Sequence, residues 1–402
     1  MSPNQTSIPE RLAAIPPPSR PSKKWRIVGV LACICLLIYG AVVITNYVRV
    51  TQQIGKLKDA DSAIHQKAAD ALGRSRSRRA VEPLIAALND TDPDVQGSAA
   101  KALGQIKDPR AVQSLMTAFR DAVKNGKPAR GPDDLYTMNE QQSRILDVAR
   151  QAAEALGNIG SPALPDLMAA FKDKDLNQYA YAGLVKMGAP AVDALVAEVK
   201  DPKSAVRQDA VQVLGDIKDP RAVESLVGVL EVKDLQWYAA LALGKIKDPH
   251  AVEPLIAALN GKDPEFRERV ALSLGDIKDP RADAALTAAL KDPELRVMRA
   301  AASALGQIAD PQAVNVLLAA LHQHNAEVIA GAGSFFIQRG ESGSEDTLIE
   351  ALDKTGDESL AVNMLNSGNK KLYDAADHWA STHNYYITFS PGDKGSGWGG
   401  KQ

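Results

Sequence analysis

Apolar residues recur along most of this chain at intervals of three and four. Leu295, Met298, Ala302 and Leu305 form one such series, Val81, Leu84, Ile85 and Leu88 a second, and Val252, Leu255, Ile256 and Leu259 a third. This spacing puts the apolar side chains on one face of an α-helix and predicts many short amphipathic helices rather than strands. One segment departs from the alternation. Residues 27–48 read IVGVLACICLLIYGAVVITNYV and carry no charge. About 20 such residues in a helix cross a ~30 Å hydrocarbon core. The apolar core of a cleaved signal peptide spans about 7–15 residues and ends at a small-residue cleavage site; this run is longer and has no convincing site. The expectation is a transmembrane helix over residues 26–48, preceded by a disordered Pro-rich tail over residues 1–25. Five Lys/Arg precede the span, while Arg49, Lys56 and Lys58 follow it. The imbalance favours an inside N-terminus and an extracytoplasmic main body.

From about residue 60 the helical pattern becomes a repeat. Ala102-Leu103-Gly104-Gln105-Ile106-Lys107-Asp108-Pro109-Arg110-Ala111-Val112 returns as Leu214-Gly215-Asp216-Ile217-Lys218-Asp219-Pro220-Arg221-Ala222-Val223. It returns again at 242–252, at 274–281 and at 304–311. The marker glycines 73, 104, 215, 244, 275 and 306 step by 29 or 31 apart from one long gap. Weaker copies around Gly157 and Val185 fill that gap, and two more follow near Ile337 and Asn366. Each repeat reads as two helices. The first is expected to end at the glycine, which tolerates a left-handed C-terminal cap. Asp-Pro then opens the second, Asp capping free N–H groups and Pro occupying the first turn. Pro83 and Pro254 lie a turn further in, so that helix either starts later than Asp-Pro implies or has an irregular first turn.

These residues resemble the short HEAT-like repeats first noted in phycobilin lyases, with a helix-Leu-Gly-x-Ile-x-Asp-x-Arg-Ala-Val-x-x-Leu rhythm. The resemblance covers roughly residues 60–380. It implies an all-α fold: an α-solenoid of about nine or ten HEAT-like helix pairs, residues 49–382, after one transmembrane helix. A single pair cannot bury its apolar faces alone, and stacking completes the core. At ~10 Å between layers the array runs roughly 100 Å. The period is too short for tetratricopeptide repeats, and the ankyrin Thr-Pro-Leu-His signature is absent. The matching residues are those the fold needs, so the resemblance implies architecture more than activity.

Composition narrows the function classes. The 402 residues are 45% hydrophobic and only 5% aromatic, which suits packed helices. The net charge is −2. Residues 1–26 carry five basic residues and one acid, so the body is mildly acidic. That disfavours nucleic acid, whose binding needs clustered Lys/Arg to displace counterions. Both cysteines, Cys33 and Cys35, fall in the uncharged segment, leaving the body without thiolate nucleophiles or Cys-ligated zinc. No metal is expected: His322-Gln323-His324 places two imidazoles on different sides of a helix. No cofactor is expected either.

Three departures from the regular repeat are candidates for function. The insertion 121–141 brings Lys124, Lys127, Arg130 and Tyr136, as contact residues or as a tolerated surface loop. Two rows recur once per repeat: Arg79, Arg110, Arg221, His250 and Arg281 just after Asp-Pro, with Glu82, Gln113, Glu224 and Glu253 three places on. In the family resembled, the second helices line the concave face, so these rows either border a binding groove or pair as weak surface ion pairs. The third is the C-terminal segment, where His378, Trp379, Tyr385, Tyr386 and Trp398 gather. Its residues 383–402 are expected to be a flexible tail, with a hint of strand at 383–390. Trp379 either caps the last repeat or binds a partner.

The function expected from these features is a membrane-anchored scaffold for protein partners, with no catalytic residues. The alternative implied by the resemblance is a phycobilin-lyase-like enzyme, or a chaperone-like subunit acting on a tetrapyrrole-carrying protein. A HEAT-type deoxyhypusine hydroxylase would ligate iron through His-Glu dipeptides, and none of the six histidines is followed by Glu.

Overall fold

In the computed structural model the described residues are 23–402 except 60, 128–138, 342, 384, 390–395 and 400–402. The first element is a 34-residue helix, α1 (Lys23–Lys56). Ten helix pairs follow among the described residues. They are α2 (Ser62–Ser75) with α3 (Val81–Ala87), α4 (Pro93–Ile106) with α5 (Val112–Gly126), α6 (Glu140–Ile159) with α7 (Leu164–Phe171), and α8 (Asn177–Met187) with α9 (Val192–Lys200). Then come α10 (Arg207–Ile217) with α11 (Val223–Val227), α12 (Gln236–Ile246) with α13 (Val252–Ala258), α14 (Pro264–Ile277) with α15 (Asp283–Ala289), and α16 (Leu295–Ile308) with α17 (Pro311–His322). The ninth pair has a broken first helix, α18 (Ala326–Gly331) and α19 (Gly333–Arg339), against α20 (Ser344–Thr355). The tenth is α21 (Glu358–Leu365) with α22 (Lys370–Thr382).

Stacked pairs share one hydrophobic cluster that runs from Val50 to Ala380 without a break, so the array is a single body rather than a string of domains. First helices pack on first helices. Ala99, Ala100, Ala152, Ala153, Ala239, Ala240, Ala301 and Ala302 are fully buried there, and small side chains are what allow such close approach.

The marker glycines differ from the expectation. They lie inside the first helices at ordinary helical angles. The left-handed residue comes three places later, at Arg76, Lys107, Lys218, Lys247, Lys278 and Ala309, with φ of 50–61°. Helix–helix contact explains the glycine instead. A Cβ on Gly104 would stand 2.7 Å from the Cα of Ala155 in the next first helix, and one on Gly275 would stand 2.7 Å from the Cα of Ala304.

After Asp108, Asp219, Asp248 and Asp279 the Asp-Pro step opens a 3-10 turn rather than the α-helix itself, whereas Asp310-Pro311 opens α17 directly. In Pro109–Ala111 the Asp108 carboxylate accepts from the Arg110 N–H, and α5 starts only at Val112. Pro83 and Pro254 are thus third residues of α3 and α13, inside the first turn where no intrahelical acceptor awaits their missing N–H.

The uncharged segment lies within α1, but the side chains of residues 23–38 and of Gly40 are outside the described residues. Among the described residues no helix is long and apolar enough to cross a membrane. The exposed apolar run that is described, from Tyr39 to Val48, is about half the length a span requires. The expected membrane crossing therefore lacks structural support. Residues 383–402, where the sequence hints at a strand over 383–390, contain an antiparallel hairpin, β1 (Tyr386–Phe389) and β2 (Ser396–Gly399), with Ile387 opposite Trp398. Trp379 is 5% exposed and stacks on His383 and Tyr385, sealing the last layer. The insertion also shrinks. Residues 121–126 extend α5, burying Ala122 and Val123, and Asn139 opens α6 with a reciprocal cap to Gln142.

Candidate binding surface

The edge formed by the Asp-Pro turns carries the residue rows singled out in the sequence. Arg110, Arg221 and Arg281 each fold back onto the aspartate that caps their own turn. Arg110 donates from Nε to Asp108 Oδ1 and from Nη2 to Oδ2, both at 3.0 Å. The same group reaches the preceding repeat, where Nη2 donates to the Arg78 carbonyl at 3.2 Å and Nη1 to Glu82 at 3.3 Å. Arg221 does likewise with Asp219, the Ala189 carbonyl and Asp193. Arg281 holds Asp279 and the Pro249 carbonyl, with Glu253 4.0 Å away. One guanidinium thus satisfies a cap and stitches two layers together, a job that suits its fixed fork of donors. Hydrogen bonds from these arginines hold the carboxyls of Asp108, Asp219 and Asp279 below the usual range.

The other row members vary. His250 replaces the stitch with a contact from Nδ1 to Asp248 only. Gln113 donates to Asp166 at 3.2 Å, and Glu224 is exposed. Arg79 lies 3.8 Å over the ring of Tyr47 on α1. Lys127 pairs with Asp175 at 2.9 Å, beside the turn into α8. Arg130 and Tyr136 lie outside the described residues. The structure therefore joins Arg110 with Glu82 and Arg281 with Glu253, and it leaves Lys127 apart from both rows.

Two further surfaces are absent from the sequence expectations. On the first helices, Tyr181 donates to Asp216 at 2.5 Å and Lys245 donates to the other oxygen of Asp216 at 2.6 Å. Burial, with Asp216 adding to it, raises the Tyr181 hydroxyl far above its usual range. Arg299 on α16 bridges Glu327 and Asp357, each at 2.7 Å. A signal existed: the residue after each marker glycine (Arg74, Gln105, Asp216, Lys245, Asp276, Gln307) is polar, and Asp216 and Lys245 meet across successive repeats. The second surface is a groove of about 910 Å³ between α11 and α13. Val227, Leu230, Pro254, Ala258 and Phe266 line it, and Glu231, Lys233, Lys262 and Asp263 complete its lining with charge. It opens because α11 is only five residues long. Among the described residues no group of three or more His, Cys, Asp or Glu is arranged to hold a metal ion.

Comparison with known families fits this geometry. The pattern of HEAT repeats matches residues 52–125, 172–236, 231–302 and 284–334, together more than half of the chain. The chain is a HEAT-repeat protein. A PBS lyase HEAT-like repeat is also matched at residues 148–173, in the HEAT array's third layer. No curated protein matches the chain. Among solved structures the HEAT array is similar to an engineered protein at 21% identity and a TM-score of 0.34, covering 83% of this chain and 98% of that one. It is similar to Kap121p bound to Nup53p at 14% identity and a TM-score of 0.44, covering 82% of this chain and 40% of that one. It is similar to the complex of CpcE and CpcF of phycocyanin lyase from Nostoc sp. PCC7120 at 23% identity and a TM-score of 0.25, covering 67% and 92%.

Proposed function

We propose that this HEAT array is a membrane-tethered scaffold that binds a protein partner along the face of its second helices. The groove between α11 and α13 carries this reading. Its apolar floor and its charged lining of both signs suit a peptide segment with one apolar face, and its volume lies in the range of ligand-binding clefts. The exposed Glu224, and Glu253 on α13, which Arg281 reaches only at 4.0 Å, extend the same face with groups able to set a partner's register. Tethering rests on the uncharged sequence at residues 27–48 inside α1, with the N-terminus inside and the array extracytoplasmic.

Cross-linking capture with the full chain tests the groove. Ala257 is exposed on α13, so Ala257→Arg blocks the cleft without touching the core. Partners should be lost with this variant and retained when residues 128–138 are deleted. Identical recovery by the Ala257→Arg variant removes the groove from consideration. Protease added to intact cells should digest the repeats, and full protection overturns the orientation.

A second reading is favoured by the match at residues 148–173: handling of a linear tetrapyrrole, as an enzyme or as a chaperone-like subunit. A stoichiometric absorbance shift on mixing the purified chain with a linear tetrapyrrole supports it, and an unchanged spectrum removes it.

A further inference from the structure

We infer that the first repeat carries a basic collar that docks on anionic phospholipid headgroups at the point where α1 leaves the bilayer; this rests on the membrane-tether reading above.

α1 joins the array directly. The helix runs unbroken from the uncharged segment into the core, where Val50 is 2% exposed and Ile54 and Leu57 pack against the same cluster. No linker separates the two. After the turn that follows Lys56, α2 runs back along α1. Its 14 residues cover about 21 Å, enough to retrace the nine residues from Lys56 to Tyr47 with a turn to spare. The return is marked by Arg79, whose guanidinium lies 3.8 Å over the ring of Tyr47. Tyr47 is in the last turn of the uncharged segment and is itself exposed, the place and residue type expected at a membrane–water boundary.

The end of α2 and the turn after it therefore lie level with the boundary, and their charge is one-sided. Arg74, Arg76, Arg78 and Arg79 are all exposed, and Arg49 on α1 joins them. Among the described residues only Arg78 of these five makes an ion pair, 3.7 Å from Asp108, a carboxylate already held by Arg110. Of the acids of this repeat, Asp59 and Asp61 sit at the opposite end of α2, Asp70 lies one turn before Arg74, and Glu82, just after Arg79, is taken up by Arg110. Residues 49–79 hold eight Lys/Arg against three Asp, a net of +5. With +4 in residues 1–26, no charge between, and −2 for the whole chain, residues 80–402 carry −11. Basic residues this concentrated beside a bilayer are drawn to anionic lipid, while the acidic remainder is repelled from it. Because α1 is continuous with the core, docking the collar also sets how the array stands on the surface.

The full chain, incorporated in lipid nanodiscs, tests this. One set of discs is phosphatidylcholine alone and the other contains roughly one third phosphatidylglycerol, a composition that makes the surface strongly anionic. Co-elution with neutral discs reports the tether, since neutral lipid offers the collar no charge to hold. Trypsin cleavage after Arg74, Arg76, Arg78 and Arg79 reports the collar, with cleavage after the exposed Lys278 as the internal reference. The expected result is cleavage of the collar about tenfold slower in anionic discs than in neutral ones. The difference should disappear in about 1 M salt, where the screening length falls to about 3 Å. Cleavage at Lys278 should be the same in both. Equal collar cleavage in the two kinds of disc, with the chain co-eluting, overturns the collar and leaves the tether standing. A chain that co-elutes with neither disc overturns both.

Discussion

Asp283 offers a sharp test of the packing argument. The equivalent position in other repeats is Val81, Val112, Val223 or Val252, each buried at the start of a second helix. Asp283 is buried as deeply, at 2% exposure, and among the described residues no donor reaches either of its carboxylate oxygens. The charged group facing it is Asp310, whose carboxylate caps α17 by accepting from the Ala313 N–H at 2.8 Å. Burial first, then the Asp310 carboxylate, which accepts a hydrogen bond from the protonated form and repels the ionised one, push the Asp283 carboxyl up to about 7 from its ordinary 3.8. The sign follows from linkage. A folded-state value above the unfolded one means that stability is full below the unfolded value and is lost as pH rises through the folded value. With those two values the loss between pH 5 and pH 8.5 reaches about 3 kcal/mol. Relaxation and water entry around an ionised buried group reduce it, so about 1–3 kcal/mol is expected. The remaining carboxylates with lowered values, such as Asp108, Asp279 and Asp292, titrate below this window and are common to both proteins. Urea unfolding followed by circular dichroism at pH 5 and pH 8.5 measures the effect. Asp283→Val should be more stable than the parent at the higher pH and should flatten the pH dependence over that interval. An identical pH dependence in the two proteins, or a variant less stable at pH 8.5, refutes the reasoning.

Other expectations follow from the same structure. Gly275→Val should destabilise by more than the 1–3 kcal/mol typical of overpacking, because the new side chain meets the Ala304 backbone at 2.7 Å; wild-type chemical stability would remove the close-approach account. Lys247→Gly should stabilise by about 0.5–1 kcal/mol in the same assay, since a non-glycine residue is held there at φ 60°; a loss would mean that the lysine side chain does more than cap. Arg267 and Asp292 form a two-pronged pair with both side chains only 12% exposed. Arg267→Ala should cost about 3 kcal/mol by stranding the aspartate. Arg267 also depresses the Asp292 carboxyl, so the pair's contribution is present above pH 4 and lost as pH falls further, which acid titration of the parent and variant compares directly.

The all-helical array was legible in the sequence because its determinants are local and repeated. Apolar spacing, Asp-Pro starts and a 29–31 residue period each concern neighbours within one helix pair, and the fold copies that pair along the chain. The end cap by Trp379 was legible for the same reason: a terminal layer needs a large apolar cover. The roles of particular residues were another matter. The marker glycine looks like a helix terminator when only its own helix is considered, and its purpose emerges only when, at Gly73, Gly104, Gly215, Gly244 and Gly275, the next repeat's Ala or Ser backbone is set 2.7–3.0 Å from where a Cβ would be. The arginine rows look like free surface charge, yet three of them are bound to a carbonyl 32 residues earlier. Tyr181, Asp216 and Lys245 become a hydrogen-bonded line, and Arg79 meets Tyr47, through the stacking distance and the direction in which α2 returns along α1. Periodicity along one dimension determined the elements and their count. The contacts between layers depend on how closely those elements stack, and only the tertiary structure decided that.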